Sequence, residues 1–196
     1  GIADLSDDGR ITRFMEKPTL EEAFSNLINA GAYILEPEIF SRMPEGAHSI
    51  ERDVYPGLAA EDQLNGFPFT GWFVDAGTPE SWIEAMEVCL TRGRWPHGSG
   101  IPDSSWAGEG TSIAEAASIE FSALGDRASI GEGAVVSHTS LLDDSSVGGG
   151  AQITGCLVGK RAVIGARAEL SNVVIDYDSV IPEGHIQDGG VWPIVD

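Results

Sequence analysis

The stretch that decides the fold repeats every six residues and is clearest in residues 128–165, which read ASIGEGAVVSHTSLLDDSSVGGGAQITGCLVGKRAVIG. Between residues 111 and 183 an aliphatic residue recurs at intervals of six, sometimes five. These aliphatic residues are Ile113, Ile119, Leu124, Ile130, Val136, Leu142, Val147, Ile153, Val158, Ile164, Leu170, Ile175 and Ile181. A small residue often lies two positions earlier, as at Ala128, Ala134, Ser145, Ala151, Ala162, Ala168 and Ser179. Glycine often follows the aliphatic residue, as at Gly125, Gly131, Gly148, Gly159 and Gly165.

This period fits neither an α-helix nor an open strand, but it fits a coil with three flat faces. In such a coil the aliphatic residue points inward, the small residue fills the space near a corner, and glycine or a polar residue turns the chain. Three repeats make a coil of about 18 residues, so the stretch predicts roughly four coils of an all-β parallel β-helix. The pattern resembles that of left-handed hexapeptide solenoids. A β-sandwich is the alternative, but sandwiches do not sustain a six-residue period.

Composition and charge limit the partners. The chain has 196 residues, 42% of them hydrophobic, and a net charge of −20. Nucleic acids and anionic membranes would repel such a surface.

Cys89 and Cys156 belong to no paired or metal-binding motif, so a reducing compartment is expected. No apolar run is long enough to span a bilayer and the residues from Gly1 onwards show no signal-peptide pattern, so we expect a cytoplasmic protein.

The sequence predicts an α/β segment over residues 1–93, a linker over 94–110 and the solenoid with its terminal cap over 111–196. In the first segment, residues 31–35 and the run from Gly66 to Asp75 are predicted as β-structure. Thr78 then caps a helix that continues towards Gly93. The apolar residues of the tail, 191–194, are expected to cover the last coil.

Four segments of the first 93 residues occur in an order that is typical of one enzyme family. They are Gly9-Arg10-Ile11 with Phe14-Met15-Glu16-Lys17-Pro18, then Ser25-Asn26-Leu27-Ile28-Asn29-Ala30-Gly31-Ala32-Tyr33-Ile34-Leu35, then Ser49-Ile50-Glu51-Arg52-Asp53, and Asp75-Ala76-Gly77-Thr78-Pro79-Glu80. Together they resemble the C-terminal part of the catalytic domain of sugar-1-phosphate nucleotidyltransferases, a truncated Rossmann-like domain, and most of all the members that act on mannose 1-phosphate. Many members also carry a hexapeptide solenoid. The family's glycine-rich nucleotide-binding loop and the strand-end acid after it are absent from the sequence, so we expect the chain alone to be inactive.

The resemblance implies roles for six residues. Lys17 matches the family lysine that contacts the sugar phosphate, which suits a compact ammonium. Glu16 would accept hydrogen bonds from sugar hydroxyls, and residues Asn29, Ala30 and Gly31 match the segment that lies along the sugar. Asp75 matches the family's metal-binding acid, and Mg²⁺ is the expected ion. Taken singly, Glu16-Lys17-Pro18 would be a surface turn and Asp75 a turn acid; only their joint occurrence favours a site.

The expected reaction joins GTP and mannose 1-phosphate to give GDP-mannose and pyrophosphate. A close alternative is a glucose-1-phosphate thymidylyl-, adenylyl- or uridylyltransferase, because the sugar-side motifs barely distinguish the two. A non-catalytic regulatory or scaffolding subunit is a second alternative, and a hexapeptide acyltransferase that uses His138 is a third. If the protein is the enzyme, the flat sides of the solenoid favour a homo-oligomer, with no nucleic acid or membrane as partner.

Overall fold

The computed structural model describes residues 1–92 and 104–193. They form two compact units that divide between Phe73 and Val74. The boundary lies earlier than the expected end of the first segment at residue 93. As a result, the helix that follows Thr78 belongs to the same unit as the solenoid.

The first unit contains a three-stranded antiparallel sheet of order β2-β1-β3. Its strands are β1 (Ile2–Leu5), β2 (Ile11–Met15) and β3 (Leu27–Ile28). The turn-rich sequence between β1 and β2 closes a hairpin, in which the Gly9 nitrogen donates to the Ser6 carbonyl at 2.9 Å. Gly9 has a φ of +84°, a conformation that glycine adopts without strain. The predicted β-hairpin at the start of the chain is therefore present.

Short helical segments cover one face of this sheet. They are a 3₁₀ helix (Pro37–Arg42), a π-helical turn (Ile50–Val54) and helix α1 (Tyr55–Ala60). The core they form with the sheet is small and consists of Phe14, Ile39, Val54, Tyr55 and Leu58. Phe14 and Tyr55 meet edge to face with their centroids 5.4 Å apart, an arrangement that aromatic rings prefer.

Two predicted β-segments of this region are wrong. Residues 31–35 and 66–75 form no strand, and the side chains of Phe67 and Phe69 are largely exposed. Their aromatic and β-branched composition favours extended structure, but a strand forms only when another strand pairs with its backbone. Within the described residues, the contact nearest to such pairing is the single bridge between Arg10 and Asn65.

Helix α2 (Pro79–Thr91) agrees with its sequence signals. The Thr78 hydroxyl accepts from the Ser81 nitrogen at 3.2 Å, and the Ser81 hydroxyl accepts from the Thr78 nitrogen at 3.0 Å. This reciprocal pair satisfies two backbone donors that the first turn would otherwise leave unpaired. The predicted end of the helix at Gly93 lies outside the described residues.

From Trp106 to Trp192 the second unit is a parallel β-solenoid with three faces. Face one is formed by β4 (Trp106–Ala107), β7 (Ala123–Leu124), β10 (Ser140–Leu141), β13 (Leu157–Val158), β16 (Val174–Ile175) and β19 (Val191–Trp192). Face two is formed by β5 (Ser112–Ile113), β8 (Ser129–Ile130), β11 (Ser146–Val147), β14 (Val163–Ile164) and β17 (Val180–Ile181). Face three is formed by β6 (Ser118–Glu120), β9 (Val135–Ser137), β12 (Gln152–Thr154), β15 (Glu169–Ser171) and β18 (Ile186–Asp188).

Successive coils are 17 residues apart rather than 18, as the pairing of Ser140 with Leu157 shows. One of the three repeats in each coil is a residue short. The register therefore places Leu141 inside, 2% exposed, and the predicted inward residue Leu142 outside. The other predicted inward residues from Ile119 onwards lie in one continuous core.

The solenoid is also longer than expected, with about five coils instead of four. Trp106–Ala107, inside the segment predicted as a linker, forms the first strand of face one. At the other end, Val191–Trp192 extends the same face, and Trp192 packs against the core. These tail residues therefore continue the coil; Ile194 lies outside the described residues.

The sequence predicted that the glycine after each aliphatic residue turns the chain, and the structure shows a different role for it. The chain turns at residues with positive φ, and several of these are not glycine, such as Arg127, Asp144, Arg161 and Asp178. The glycines that follow the aliphatic residues have no positive φ; a Cβ at Gly165 would lie 2.5 Å from the backbone nitrogen of Glu183 in the next coil. These glycines are needed because neighbouring coils approach closely.

One corner also carries a ladder of alternating charge. Arg127 makes two hydrogen bonds to the carboxylate of Asp144, at 2.6 and 2.9 Å, and Arg161 bonds Asp178 in the same way at 2.5 and 2.6 Å. Each guanidinium lowers the pKa of its partner carboxyl through these hydrogen bonds. Such pairs bridge residues 17 positions apart in adjacent coils.

Across the described residues, no helix combines the length and the apolar character that a membrane-crossing segment needs.

Candidate functional site

The sheet of the first unit brings two predicted site segments to one edge. β1 pairs antiparallel with both of its neighbours, and Ile2 lies opposite Met15 on one side and Ile28 on the other. The C-terminal ends of β2 and β3 therefore lie at the same edge of the sheet, with β1 between them. Residues 16–17 follow β2 and residues 29–31 follow β3, so the topology places them on either side of the N-terminal end of β1.

Asn29 is held by a hydrogen-bond network at this edge. Its side-chain amide donates to the Tyr33 hydroxyl at 2.6 Å and to Glu51 Oε1 at 3.1 Å. The Tyr33 hydroxyl in turn donates to Glu51 Oε1 at 2.6 Å. Partial burial and then the hydrogen bond to Glu51 raise the pKa of Tyr33, so this hydroxyl stays protonated. The network fixes the orientation of the amide.

Ala30 and Gly31, which follow Asn29, form a turn with open space beside its backbone. The Asn29 side-chain oxygen accepts from the Gly31 nitrogen at 3.0 Å, which shapes the turn. Gly31 has a φ of +69°, and no atom lies within 4 Å of the place where its Cβ would be. Ala30 is half-buried. Glycine at this position leaves open space that a ligand approaching the backbone could occupy.

Glu16 and Lys17 differ in their surroundings. The Glu16 side chain is 11% exposed, and its Oε2 lies 3.1 Å from the nitrogen of Gly1. Lys17 is exposed and has a φ of +50°, a conformation that is uncommon for residues other than glycine. Within residues 1–92 and 104–193 the structure shows no ion pair for Lys17. Its ammonium is thus available to an anionic ligand.

Glu51 and Tyr33 are the partners of Asn29 that the sequence did not identify as site residues. Both lie within the motif segments, Tyr33 in residues 25–35 and Glu51 in residues 49–53. The sequence shows that these segments occur together, but it does not show that Glu51 contacts a residue 22 positions earlier.

Asp75 lies on the connection that leads into helix α2, and its side chain is exposed. Its Oδ1 is 3.3 Å from the place where a Cβ of Gly77 would be, so a larger residue at 77 would crowd the carboxylate. The predicted strand before Asp75 is absent, and the capped helix after it supplies the fixed element instead.

A single exposed carboxylate fits one kind of metal site. No cluster of three or more histidine, cysteine, aspartate or glutamate side chains is present in the described parts of the chain. One carboxylate does not suit a closed structural metal site, which needs about four protein ligands. It does suit Mg²⁺, which keeps several waters and binds through one or two carboxylates together with substrate phosphates.

The predicted site residues are divided between the two units. Glu16, Lys17 and residues 29–31 belong to the first unit, and Asp75 belongs to the second. The structure brings the first group together at one sheet edge. The convergence of Asp75 with Lys17 on one pocket stays a prediction.

The two tyrosines beside the site make a testable contrast. Burial raises the pKa of Tyr55 to about 12, and its hydroxyl has no hydrogen-bond partner among the described residues. Tyr55→Phe is therefore expected to leave the free energy of unfolding unchanged or to raise it by up to about 1 kcal/mol. Tyr33→Phe removes the hydroxyl that bonds Glu51 and is expected to cost about 1 to 2 kcal/mol.

Urea unfolding of both variants measures this contrast. The two rings meet edge to face at 5.1 Å, so each substitution keeps the same aromatic contact and serves as the control for the other. A larger loss in Tyr55→Phe than in Tyr33→Phe would show that the Tyr55 hydroxyl has a bonding partner in solution.

The remaining candidate residues of the sequence are His138, Cys89 and Cys156, and their surroundings do not form a reactive site among the described residues. His138 lies at a corner of the solenoid, and its Nδ1 is 2.5 Å from Glu87 Oε1 on helix α2. Cys89 and Cys156 are free thiols, and Cys156 is fully buried. Burial raises the pKa of the Cys156 thiol, which makes it a poor nucleophile.

Comparison with known proteins identifies the class of the first segment. Residues 1–92 match the family described as Nucleotidyl transferase. The first segment is thus a nucleotidyltransferase-like domain by similarity, and a parallel β-solenoid follows it. The fold expected from the sequence is confirmed at this level.

The relatives are mannose-1-phosphate guanylyltransferases. The catalytic subunit beta from Drosophila pseudoobscura pseudoobscura is 36% identical over 91 residues, which are 46% of this chain and 24% of that protein. Beta-B of Xenopus laevis is 36% identical over 92 residues, 47% of this chain and 25% of that protein. The Aspergillus fumigatus enzyme is 38% identical over 82 residues, 42% of this chain and 22% of that protein.

The chain therefore spans about a quarter of the length of the curated relatives it matches. Among solved structures, a perosamine N-acetyltransferase from Caulobacter crescentus aligns over 44% of this chain and 51% of its own. Its TM-score of 0.29 and identity of 20% are too low to support any inference.

Proposed function

We propose that this chain supplies the sugar-phosphate side of the active site of a sugar-1-phosphate nucleotidyltransferase. In the proposed reaction, GTP and mannose 1-phosphate give GDP-mannose and pyrophosphate. The observation that supports the proposal is the shared sheet edge at which Glu16-Lys17 and Asn29-Ala30-Gly31 lie on either side of β1. The names of the relatives agree with it.

Each residue of this edge has a chemical task in the proposed reaction. The Lys17 ammonium neutralises the phosphate of the sugar substrate. The Glu16 carboxylate accepts hydrogen bonds from sugar hydroxyls, and the open backbone at Ala30 and Gly31 lets the sugar approach closely. Asn29 holds the backbone at Ala30 and Gly31 in place, because Glu51 and Tyr33 fix the Asn29 side-chain amide.

Asp75 would hold Mg²⁺, which neutralises phosphate oxygens when it is bound. A phosphate oxygen of the sugar 1-phosphate attacks the α-phosphorus of the triphosphate, and the bond to the leaving pyrophosphate breaks. The attacking group is already an anion, so no general base is required and positioning with charge neutralisation carries the catalysis. The residues with a proposed role hold the sugar phosphate and the metal ion but not the nucleotide, and we propose that the chain alone is inactive.

The solenoid has no chemical task in this proposal. Its outer faces carry exposed aliphatic residues, such as Val163 and Val180 on face two. We include self-association through such faces into a homo-oligomer as part of the proposal.

A substrate panel tests the reaction. The full-length protein is incubated with each nucleoside triphosphate and either mannose or glucose 1-phosphate, and the nucleotide-sugar formed is measured. We expect GDP-mannose to form fastest. Faster formation of a glucose product would favour the glucose-1-phosphate alternative, and no product from any pair would favour a regulatory or scaffolding subunit.

Lys17→Ala tests the role of the sheet edge. We expect the KM for mannose 1-phosphate to rise about 30-fold, because one charge-assisted contact to the phosphate contributes about 2 kcal/mol. Lys160→Ala is the matched control, since Lys160 is the second of the two lysines of the chain and bonds Asp143 within the solenoid. Equal KM values in both variants would remove Lys17 from the site.

A further inference from the structure

Helix α2 and face one of the solenoid, which belong to the same compact unit, have an apolar cavity between them. Its volume is about 290 Å³. The helix contributes one stripe of its surface, because residues three and four positions apart lie on the same side of a helix. The main walls are three side chains of the helix, Trp82, Met86 and Cys89, and three of face one, Trp106, Ala123 and Ser140.

The cavity exists because face one carries small side chains under the helix. Ala123 and Ser140 are paired in register on the neighbouring strands β7 and β10. The next two strands of the same face have Leu157 and Val174 at the matching positions. This column of the solenoid therefore accommodates aliphatic side chains, and the two small residues leave space that the described residues do not fill.

Ser140 places a nearly buried hydroxyl group on the floor of the cavity. The residue is 8% exposed, and its hydroxyl makes no hydrogen bond within residues 1–92 and 104–193. By contrast, the buried hydroxyls of Ser122 and Thr139 donate to backbone carbonyls at 2.7 and 2.8 Å. A buried hydroxyl without a partner costs free energy, and a bound polar group that pairs with it removes that cost.

The charge around the cavity disfavours anions. Helix α2 carries Glu80, Glu84 and Glu87, and the whole chain has a net charge of −20. A negatively charged molecule would be repelled from this surface, and the apolar walls would not compensate the lost hydration of a charge. The ligand that fits is therefore neutral.

The geometry points to this cavity as a binding site for a small neutral aromatic molecule that carries one hydrogen-bonding group. The indole rings of Trp82 and Trp106 and the thioether of Met86 suit an aromatic ring. The Ser140 hydroxyl can donate to the polar group or accept from it. An apolar cavity of about 150 Å³ holds one benzene ring, so about twice that space suits two fused rings.

This site uses none of the residues to which the proposed function gives a role. The inference therefore holds or fails independently of the nucleotidyltransferase reaction. Its test needs only binding measurements on the whole chain.

The test compares two probes of the same size and shape. Indole carries an N–H group that can donate to the Ser140 hydroxyl, and indene lacks it. The backbone amide signals of Ala123 and Ser140 are followed by NMR while each probe is added to the isotope-labelled chain. We expect both probes to shift these signals, with a dissociation constant of about 0.3 mM for indole.

Ser140→Ala removes the hydroxyl and keeps the cavity. We expect the dissociation constant of indole to rise about fivefold, because one neutral hydrogen bond contributes a factor of about this size. The dissociation constant of indene is expected to stay within about twofold of the parent value. The melting temperature is expected to be unchanged, since the hydroxyl has no partner among the described residues to lose.

Ala123→Leu narrows the cavity with a side chain that the same column accommodates at Leu157. We expect both probes to bind about tenfold more weakly and the melting temperature to stay the same or rise, because the added atoms fill a void. Val191→Ala is the matched control, since Val191 lies in this column on β19 and does not line the cavity. Both probes are expected to bind the control as they bind the parent.

Four results are contrary to the inference. If neither probe shifts the two amides, the cavity is closed to small molecules and the inference is wrong. If Trp95→Ala then allows indole to bind, the chain's own residues 93–103 are the occupant in place of a ligand. Equal losses of indole and indene in Ser140→Ala would show that the hydroxyl does not select the polar group, which overturns the class of ligand. Unchanged binding in Ala123→Leu would place both probes outside the cavity.

Discussion

Replacing Asp75 with asparagine is expected to lower kcat/KM for nucleotidyl transfer in the full-length protein by about 10³-fold. An amide keeps the size of the carboxylate but carries no charge, so it binds a divalent ion far more weakly. The loss corresponds to about 4 kcal/mol of transition-state stabilisation. A steady-state assay over a series of Mg²⁺ concentrations measures it, and high Mg²⁺ is expected to restore part of the activity.

Glu84→Gln controls for this substitution. Glu84 is an exposed carboxylate on helix α2, so the variant removes the same charge from the helix that follows Asp75 without touching Asp75 itself. We expect its kcat/KM to stay within about twofold of the parent, since exposed charges interact weakly through water. Near-normal activity in Asp75→Asn would show that the carboxylate is an ordinary turn acid.

Gly165→Ala is expected to lower the free energy of unfolding of the solenoid by about 3 kcal/mol. The added Cβ would lie 2.5 Å from the backbone nitrogen of Glu183 and 2.6 Å from the carbonyl carbon of Pro182. Backbone atoms cannot move aside as a flexible side chain can, so the two coils must separate. Their separation weakens the hydrogen bond from the Gly165 nitrogen to the Ile181 carbonyl, which is 2.9 Å long.

Gly184→Asn is the comparison variant at a corner of the same coil pair. Gly184 has a φ of +66°, which asparagine tolerates, and no atom lies within 4 Å of its Cβ position. We expect a loss of no more than about 1 kcal/mol there. Chemical denaturation followed by circular dichroism measures both variants. If Gly184→Asn costs more than Gly165→Ala, the requirement for glycine comes from backbone conformation and not from the approach of the coils.

The candidate site was only partly predictable from the sequence. The motif order placed Lys17 and Asn29 in the same neighbourhood, and the pairing of β2 and β3 with β1 agrees with that. The partners Tyr33 and Glu51 were missed because a hydrogen bond to Glu51 depends on how the turn at Ser49 folds back over the sheet. The β-run before Asp75 was wrong because apolar composition does not supply a pairing strand.

The sequence by itself determined the solenoid. Each coil packs against the next at a separation of 17 residues, so the information that specifies the core is local and appears as a repeat. The repeat was sufficient to predict three faces, a continuous aliphatic core and buried small residues such as Ala128 and Ala162 at the corners.

One register was mispredicted: counting in sixes selected Leu142, although the spacing of 17 from Leu124 and to Val158 selects Leu141, which points inward. Only the tertiary structure decided that glycine after the aliphatic residue serves the approach of two coils, and that Glu87 meets His138 across 51 residues. These contacts join atoms that are distant in the chain. Their geometry therefore depends on the completed packing and not on any local pattern of residues.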